Sequence, residues 1–110
     1  MRIADYLTGY ANIVKMHGIP EHCREGVVRY IVLGDEIGDF LSAVFADKFA
    51  EAACRADDIN GRAMRAYGTL LYALPMACWG SPERVQQWQA RGGLIGRGDP
   101  LPSDLTVSIM

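Results

Sequence analysis

Apolar residues recur along this chain at spacings of three and four, and glycine or proline follows where the pattern stops. The longest patterned stretch is residues 34–58. Successive residues of an α-helix lie 100° apart, which puts Ile37, Leu41, Phe45, Phe49, Ala52 and Ala56 on one face. Glu36, Asp47 and Glu51 fall opposite, flanked by Asp35 and Asp39. The pattern predicts one long amphipathic helix whose apolar stripe is buried and whose acidic stripe faces water or a basic partner.

The same rule organises the flanks. Ile3, Leu7, Tyr10, Ile13, Val14 and His17 predict a first helix over 3–17, ended by Gly18. Pro20 and Glu21 open a second. Its run VVRYIVL also suits a strand, but the helical flanks and the terminating Gly34 favour a helix with Val27, Val28, Ile31 and Val32 inward. After a cap at Asp57 or Asp58, Ile59, Ala63, Tyr67, Leu70 and Leu74 predict a helix over 59–73, with Met64 and Leu71 beside the stripe. Pro75 ends it, and Met76 to Trp79 make an apolar corner. Ser81-Pro82-Glu83 is a strong helix start for residues 82–91, where Val85 and Trp88 point inward and Gly92-Gly93 stop the helix.

Residues 92–110 contain four glycines and two prolines and no helical period. They predict a flexible tail, in which Leu105 to Ile109 alternates as a single edge strand would. The expected fold is therefore all-α: a compact bundle of four to five helices over 1–91, with an irregular tail over 92–110. A chain of 110 residues suits one such domain.

Charge sharpens the picture. The whole chain is net −2, yet residues 35–58 hold seven acids and two bases, net −5. A solvated helix face explains these acids; the more specific reading is a docking surface for a basic groove. Glu36, Asp39, Asp47 and Glu51 would line about 22 Å of helix at about 1.5 Å per residue, imitating part of a phosphate backbone. Phe40 falls among them on the helical wheel, either covered by a neighbouring helix or standing as an aromatic anchor. The acidic balance and the dispersed basic residues argue against direct nucleic-acid binding.

Candidate chemistry is sparse. Cys23, Cys54 and Cys78 form no CxxC pair and read as buried free thiols. A metal site from His17, His22 and Cys23 is disfavoured, because adjacent residues diverge by 100° on a helix. His17 before Gly18 reads as a helix C-terminal residue. Asp57 and Asp58 read as caps, and Ser81 is better explained by capping than as a nucleophile. Arg97-Gly98-Asp99 is too short a motif to carry integrin recognition. No metal, cofactor or enzymatic activity is expected. The chain has no membrane-length apolar run and no secretion-signal core, which points to the cytoplasm.

Several phrases recur together: His17-Gly18-Ile19-Pro20; Gly38, Phe40, Leu41, Ala43 and Val44; Arg55-Ala56-Asp57 with Asn60; and Leu71-Tyr72, Pro75, Cys78-Trp79-Gly80-Ser81 with Trp88. As a set, spanning Tyr10 to Trp88, they resemble a group of small helical proteins of tailed bacteriophages and prophages. Residues 92–110 depart from that pattern. The resemblance implies a phage origin and residence in the host bacterium, and supplies no catalytic residues. By analogy of size, charge and origin, it leads to the expectation of an anti-CRISPR-like inhibitor. Its partner would be a host protein complex, a CRISPR effector or its nuclease. The partner-binding residues expected are Glu36, Asp39, Phe40, Asp47 and Glu51. The alternative is a phage structural or assembly protein acting by self-association.

Overall fold

A computed structural model describes residues 3–96. Among them the chain is all-helical, with seven α-helices, one 3-10 turn and no strand. The helices are α1 (Ile3–Met16), α2 (Glu21–Leu33), α3 (Asp39–Phe45), α4 (Phe49–Arg55), α5 (Asp58–Arg62), α6 (Met64–Tyr72) and α7 (Pro82–Arg91). The 3-10 turn, Met76–Cys78, sits between α6 and α7. This exceeds the four to five expected, because two predicted helices are each divided in two.

The long helix over 34–58 is the first correction. Residues 34–38 are not helical, and the rest splits into α3 and α4 around Ala46, Asp47 and Lys48. The break is a Schellman motif: the Asp47 N–H donates to Val44 O at 3.1 Å and the Lys48 N–H to Ala43 O at 2.9 Å. Asp47 occupies its left-handed position at φ 62°. Aspartate is one of the few side chains that visit this region, so the stop leaves no glycine for a sequence pattern to find.

Splitting the helix changes what it can bury. Leu41, Ala43, Val44 and Phe45 are all buried, so α3 buries a broad apolar surface rather than a narrow stripe and leaves the side of Asp39 and Ser42 open. It packs against α4, α6 and α7 at the centre of the molecule. Phe45 is fully enclosed, its ring 4.5 Å from that of Tyr30. Phe49, in α4, is only half-buried and lies over Gly68 of α6.

The second division is at Ala63, whose φ of −100° and ψ of 9° leave the helical region between α5 and α6. The single-turn α5 is rotated relative to the predicted stripe: Ile59 is exposed, and Asn60 is 4 % exposed in its place. Tyr67, Leu70, Leu71 and Leu74 do face the core.

α2 and α7 agree with expectation, and they lock each other. The last carbonyls of a helix have no partner within it. Those of α2 are answered by α7 and the residues after it. Trp88 Nε1 donates to Tyr30 O at 2.9 Å, Leu94 N–H to Ile31 O at 3.0 Å and Ile95 N–H to Val32 O at 3.1 Å. Gly34 and Gly93, both at positive φ, meet backbone to backbone: a Cβ on Gly93 would lie 2.4 Å from the Gly34 nitrogen. Packing therefore runs past Arg91, and Leu94 is 2 % exposed. Residues 97–110, including Arg97-Gly98-Asp99 and the alternating stretch near Leu105, lie outside the described residues.

Of the three thiols, Cys78 is buried, Cys23 partly so and Cys54 exposed, correcting the expectation that all three are interior. Among the described residues no helix is long and apolar enough to cross a membrane.

Candidate functional site

The helix break turns a predicted row of acids into a cluster. Asp39 opens α3, and Glu51 lies in the first turn of α4. Both reach Arg55, one turn after Glu51. Arg55 Nη1 is 3.1 Å from Asp39 Oδ2, and Arg55 Nη2 is 3.1 Å from Glu51 Oε1, with Nε of the same guanidinium donating to that oxygen at 3.2 Å. Two carboxylates from two helices therefore share one planar fork.

This group lines a shallow depression of about 330 Å³ between α3, α4 and α7. Its walls add Ser42 and Lys48, with Gln86 and Gln89 from α7. The side chain of Asp39 is 87 % exposed and those of Glu51 and Arg55 are 44 % exposed. Ion pairs so well solvated contribute about 0–1 kcal/mol each and exchange readily.

The other expected residues are placed differently. Glu36 is exposed but precedes α3, and Asp47 is exposed in the Schellman turn. The straight 22 Å row is thus corrected: the helix that would carry it does not continue through 46–48. Phe40 is half-buried, its ring edge-on to Tyr67 at 5.1 Å between centroids. Of the two readings of Phe40, the structure supports packing by a neighbouring helix.

A second polar cluster was not foreseen as a unit. Asp57 caps α5, its Oδ1 accepting from the Asn60 N–H at 2.7 Å, and its Oδ2 lies 3.1 Å from His22 Nε2. The Asn60 N–H, foremost, and His22 hold the Asp57 carboxyl below its ordinary value. A carboxylate only accepts, so His22 Nε2 must carry the proton in this contact. The Asn60 side chain takes a 2.8 Å bond from Tyr67 OH and contacts Cys23 Sγ at 3.4 Å through Nδ2. Burial, with Cys23 nearby, pushes the Tyr67 hydroxyl well above its usual range. This network satisfies the buried Asn60 and ties α2, α5 and α6 together. His22 and Cys23 are each engaged with it rather than with one another, so the geometry builds no thiol–imidazole pair. The one available signal was Asp57 three residues before Asn60, a capping spacing; what Asn60 meets comes from α2 and α6 and is not local.

His17 behaves as expected at a helix end, its Nδ1 donating to Ile13 O at 2.9 Å. Among the described residues no group of three or more His, Cys, Asp or Glu side chains is placed to hold a metal ion.

Compared with known proteins, the chain matches no family model, no curated protein and no solved structure.

Proposed function

We propose that this chain is a non-enzymatic, phage-derived inhibitor that binds a host defence complex, in the manner of anti-CRISPR proteins, through the acidic surface of α3 and α4. The observation that carries the reading is the convergence of Asp39 and Glu51 on one exposed guanidinium. Two carboxylates already spaced to hold an arginine are held by Arg55 from within. Because those pairs are solvated and weak, an arginine or lysine from a partner's nucleic-acid channel can take the place of Arg55. Glu36 and Asp47, both exposed, add to the negative field that speeds encounter with a basic surface. The host cytoplasm is the compartment this reading requires.

The first experiment is capture of partners by the tagged chain from a CRISPR-bearing host lysate, identified by mass spectrometry. Binding to the captured complex is then measured at low and moderate salt. Asp39→Asn with Glu51→Gln should weaken binding about tenfold or more and flatten its salt dependence. Arg55→Ala, which frees the two carboxylates, should bind as well as the unaltered chain or better. If both variants bind like the unaltered chain at both salts, this surface is not the working one.

A second reading, self-association as a structural or assembly protein, is favoured by the exposed Tyr72 and Met76 beside Trp79, an apolar cluster at the end of α6. Light scattering separates the two. A concentration-independent monomer removes self-association, and a large stable oligomer weighs against a one-to-one inhibitor.

A further inference from the structure

Residues 59–82 include two arginines and no acid. Arg62 and Arg65 are both exposed, and neither pairs with a carboxylate among the described residues. Other arginines are engaged: Arg29 and Arg55 by carboxylates, Arg24 and Arg84 by backbone carbonyls.

The helix α6 sets Arg65 in a strip. Its buried residues Tyr67, Leu70 and Leu71 lie on one side. At 100° per residue the opposite side holds Arg65, Thr69 and Tyr72, and all three are exposed. Tyr72 is 85 % exposed, with its ring edge-to-face with that of Trp79 at 5.7 Å between centroids. Thr69 Oγ1 donates to Ala66 O at 3.0 Å, so its hydroxyl is satisfied within the helix. The strip is cationic at one end, small in the middle and aromatic at the other.

Such a strip complements itself in one direction only. Two copies laid parallel would set guanidinium against guanidinium. Turned antiparallel about a two-fold axis near Thr69, Arg65 of one copy lies against Tyr72 of the other, and the symmetry repeats the contact. Arg65 and Tyr72 are about 10.5 Å apart along the helix, and the axis falls midway. A guanidinium over the open face of a tyrosine is attracted by the ring quadrupole. Thr69 at the crossing is small enough for the helices to approach to about 8–10 Å. The same turn brings Arg62 of one copy toward the exposed Met76 of the other.

We propose that the outer face of α6 is the interface of a symmetric dimer, with Arg65 and Tyr72 paired reciprocally across a two-fold axis at Thr69. The proposal rests on the self-association reading and gives it a surface. A strip one side chain wide covers less than the roughly 800 Å² per partner of a standard interface, so the dimer is weak and its population rises with concentration. The interface is isologous, so assembly stops at two.

The test is sedimentation velocity on the full chain under reducing conditions, over a wide range of concentration. Monomer should pass to dimer and to nothing larger. Arg65→Ala and Tyr72→Ala each remove both symmetry-related contacts, and each should weaken the dimer about tenfold or more with circular dichroism unchanged. Thr69→Cys, made with Cys54→Ser to remove the exposed thiol, should form a disulfide-linked dimer on mild oxidation, because the axis brings the two copies of position 69 within bridging distance. A chain that stays monomeric throughout overturns the proposal and the self-association reading together. A dimer that neither alanine variant weakens, or a Thr69→Cys chain that does not cross-link, overturns this surface and leaves self-association standing. So does a larger oligomer dissolved by Glu36→Gln with Asp47→Asn, which would make the occupant of the strip the acidic surface of another copy.

Discussion

Two turns in this protein have the same backbone hydrogen bonding and opposite visibility. After α1, the Gly18 N–H donates to Lys15 O at 3.0 Å and the Ile19 N–H to Val14 O at 3.3 Å, with Gly18 at φ 79°. After α3, Asp47 and Lys48 make the equivalent pair of bonds, with Asp47 at φ 62°. Both are Schellman stops. The first carries glycine and is followed by Ile19, fully buried, and Pro20, so composition announces it. The second carries aspartate inside an unbroken apolar period, so composition conceals it. A helix end is a backbone event, and a residue that merely tolerates it signals it less clearly than one that favours it.

The largest test of this contrast compares two phenylalanines that a single continuous helix would place on one stripe. Phe45→Ala should cost about 3–5 kcal/mol, since the ring is enclosed. Phe49→Ala should cost about 1–2 kcal/mol, because half-burial leaves less apolar area to lose. Equal losses by chemical denaturation would argue for an unbroken helix.

Next come the glycines. Gly93→Ala adds a Cβ 2.4 Å from the Gly34 nitrogen and 2.7 Å from Leu33 backbone. It should cost about 2–4 kcal/mol, combining left-handed strain with overpacking. Gly18→Ala meets no atom within 4 Å, so only the strain remains, about 1–2 kcal/mol. Asp47→Gly should move the other way and raise stability by about 0.5–1 kcal/mol, as relief of the strain exceeds the added entropy of the unfolded chain. Loss of stability in Asp47→Gly would mean that the aspartate side chain holds the turn.

The smallest effect is on pH. The folded protein holds Asp57 below its ordinary value of 3.8. Its contribution is present above that value and is lost as pH falls through the lower folded value. Asp57→Asn keeps an acceptor for the Asn60 N–H and removes the charge, so the loss of stability as pH falls below the ordinary carboxyl value of 3.8 should become flatter in this variant. An unchanged acid limb would show that Asp57 does not set it.

The candidate site divides along the same line. Asp39 and Glu51 stand out in the sequence as acids in a helical segment. Their common partner Arg55 is four residues from Glu51, a spacing any helix brings together, but it is sixteen from Asp39. That second pair exists only because the chain turns at Asp47. Asn60 is similar: its cap is local, while Tyr67 and Cys23 reach it from other helices. Ile59 faces outward because a one-turn helix set by its cap need not keep the phase of the helix that follows.

The sequence alone determined that the described chain is helical, where α1, α2 and α7 begin or end, and that Tyr10, Val14, Val27, Val28, Ile31, Val32, Val85 and Trp88 lie inside, though not that Tyr30 joins them or that Ile3 stays exposed. Those decisions rest on local periods, caps and strong stops that act within a few residues. The tertiary structure alone decided that α3 buries a broad surface rather than a stripe, that Gly34 meets Gly93, that Trp88, Leu94 and Ile95 answer the last carbonyls of α2, and that Asp39 and Glu51 converge on Arg55 instead of standing in a row. Each of these depends on a backbone choice whose local cost is only about 1–2 kcal/mol, small enough for packing between distant segments to overrule.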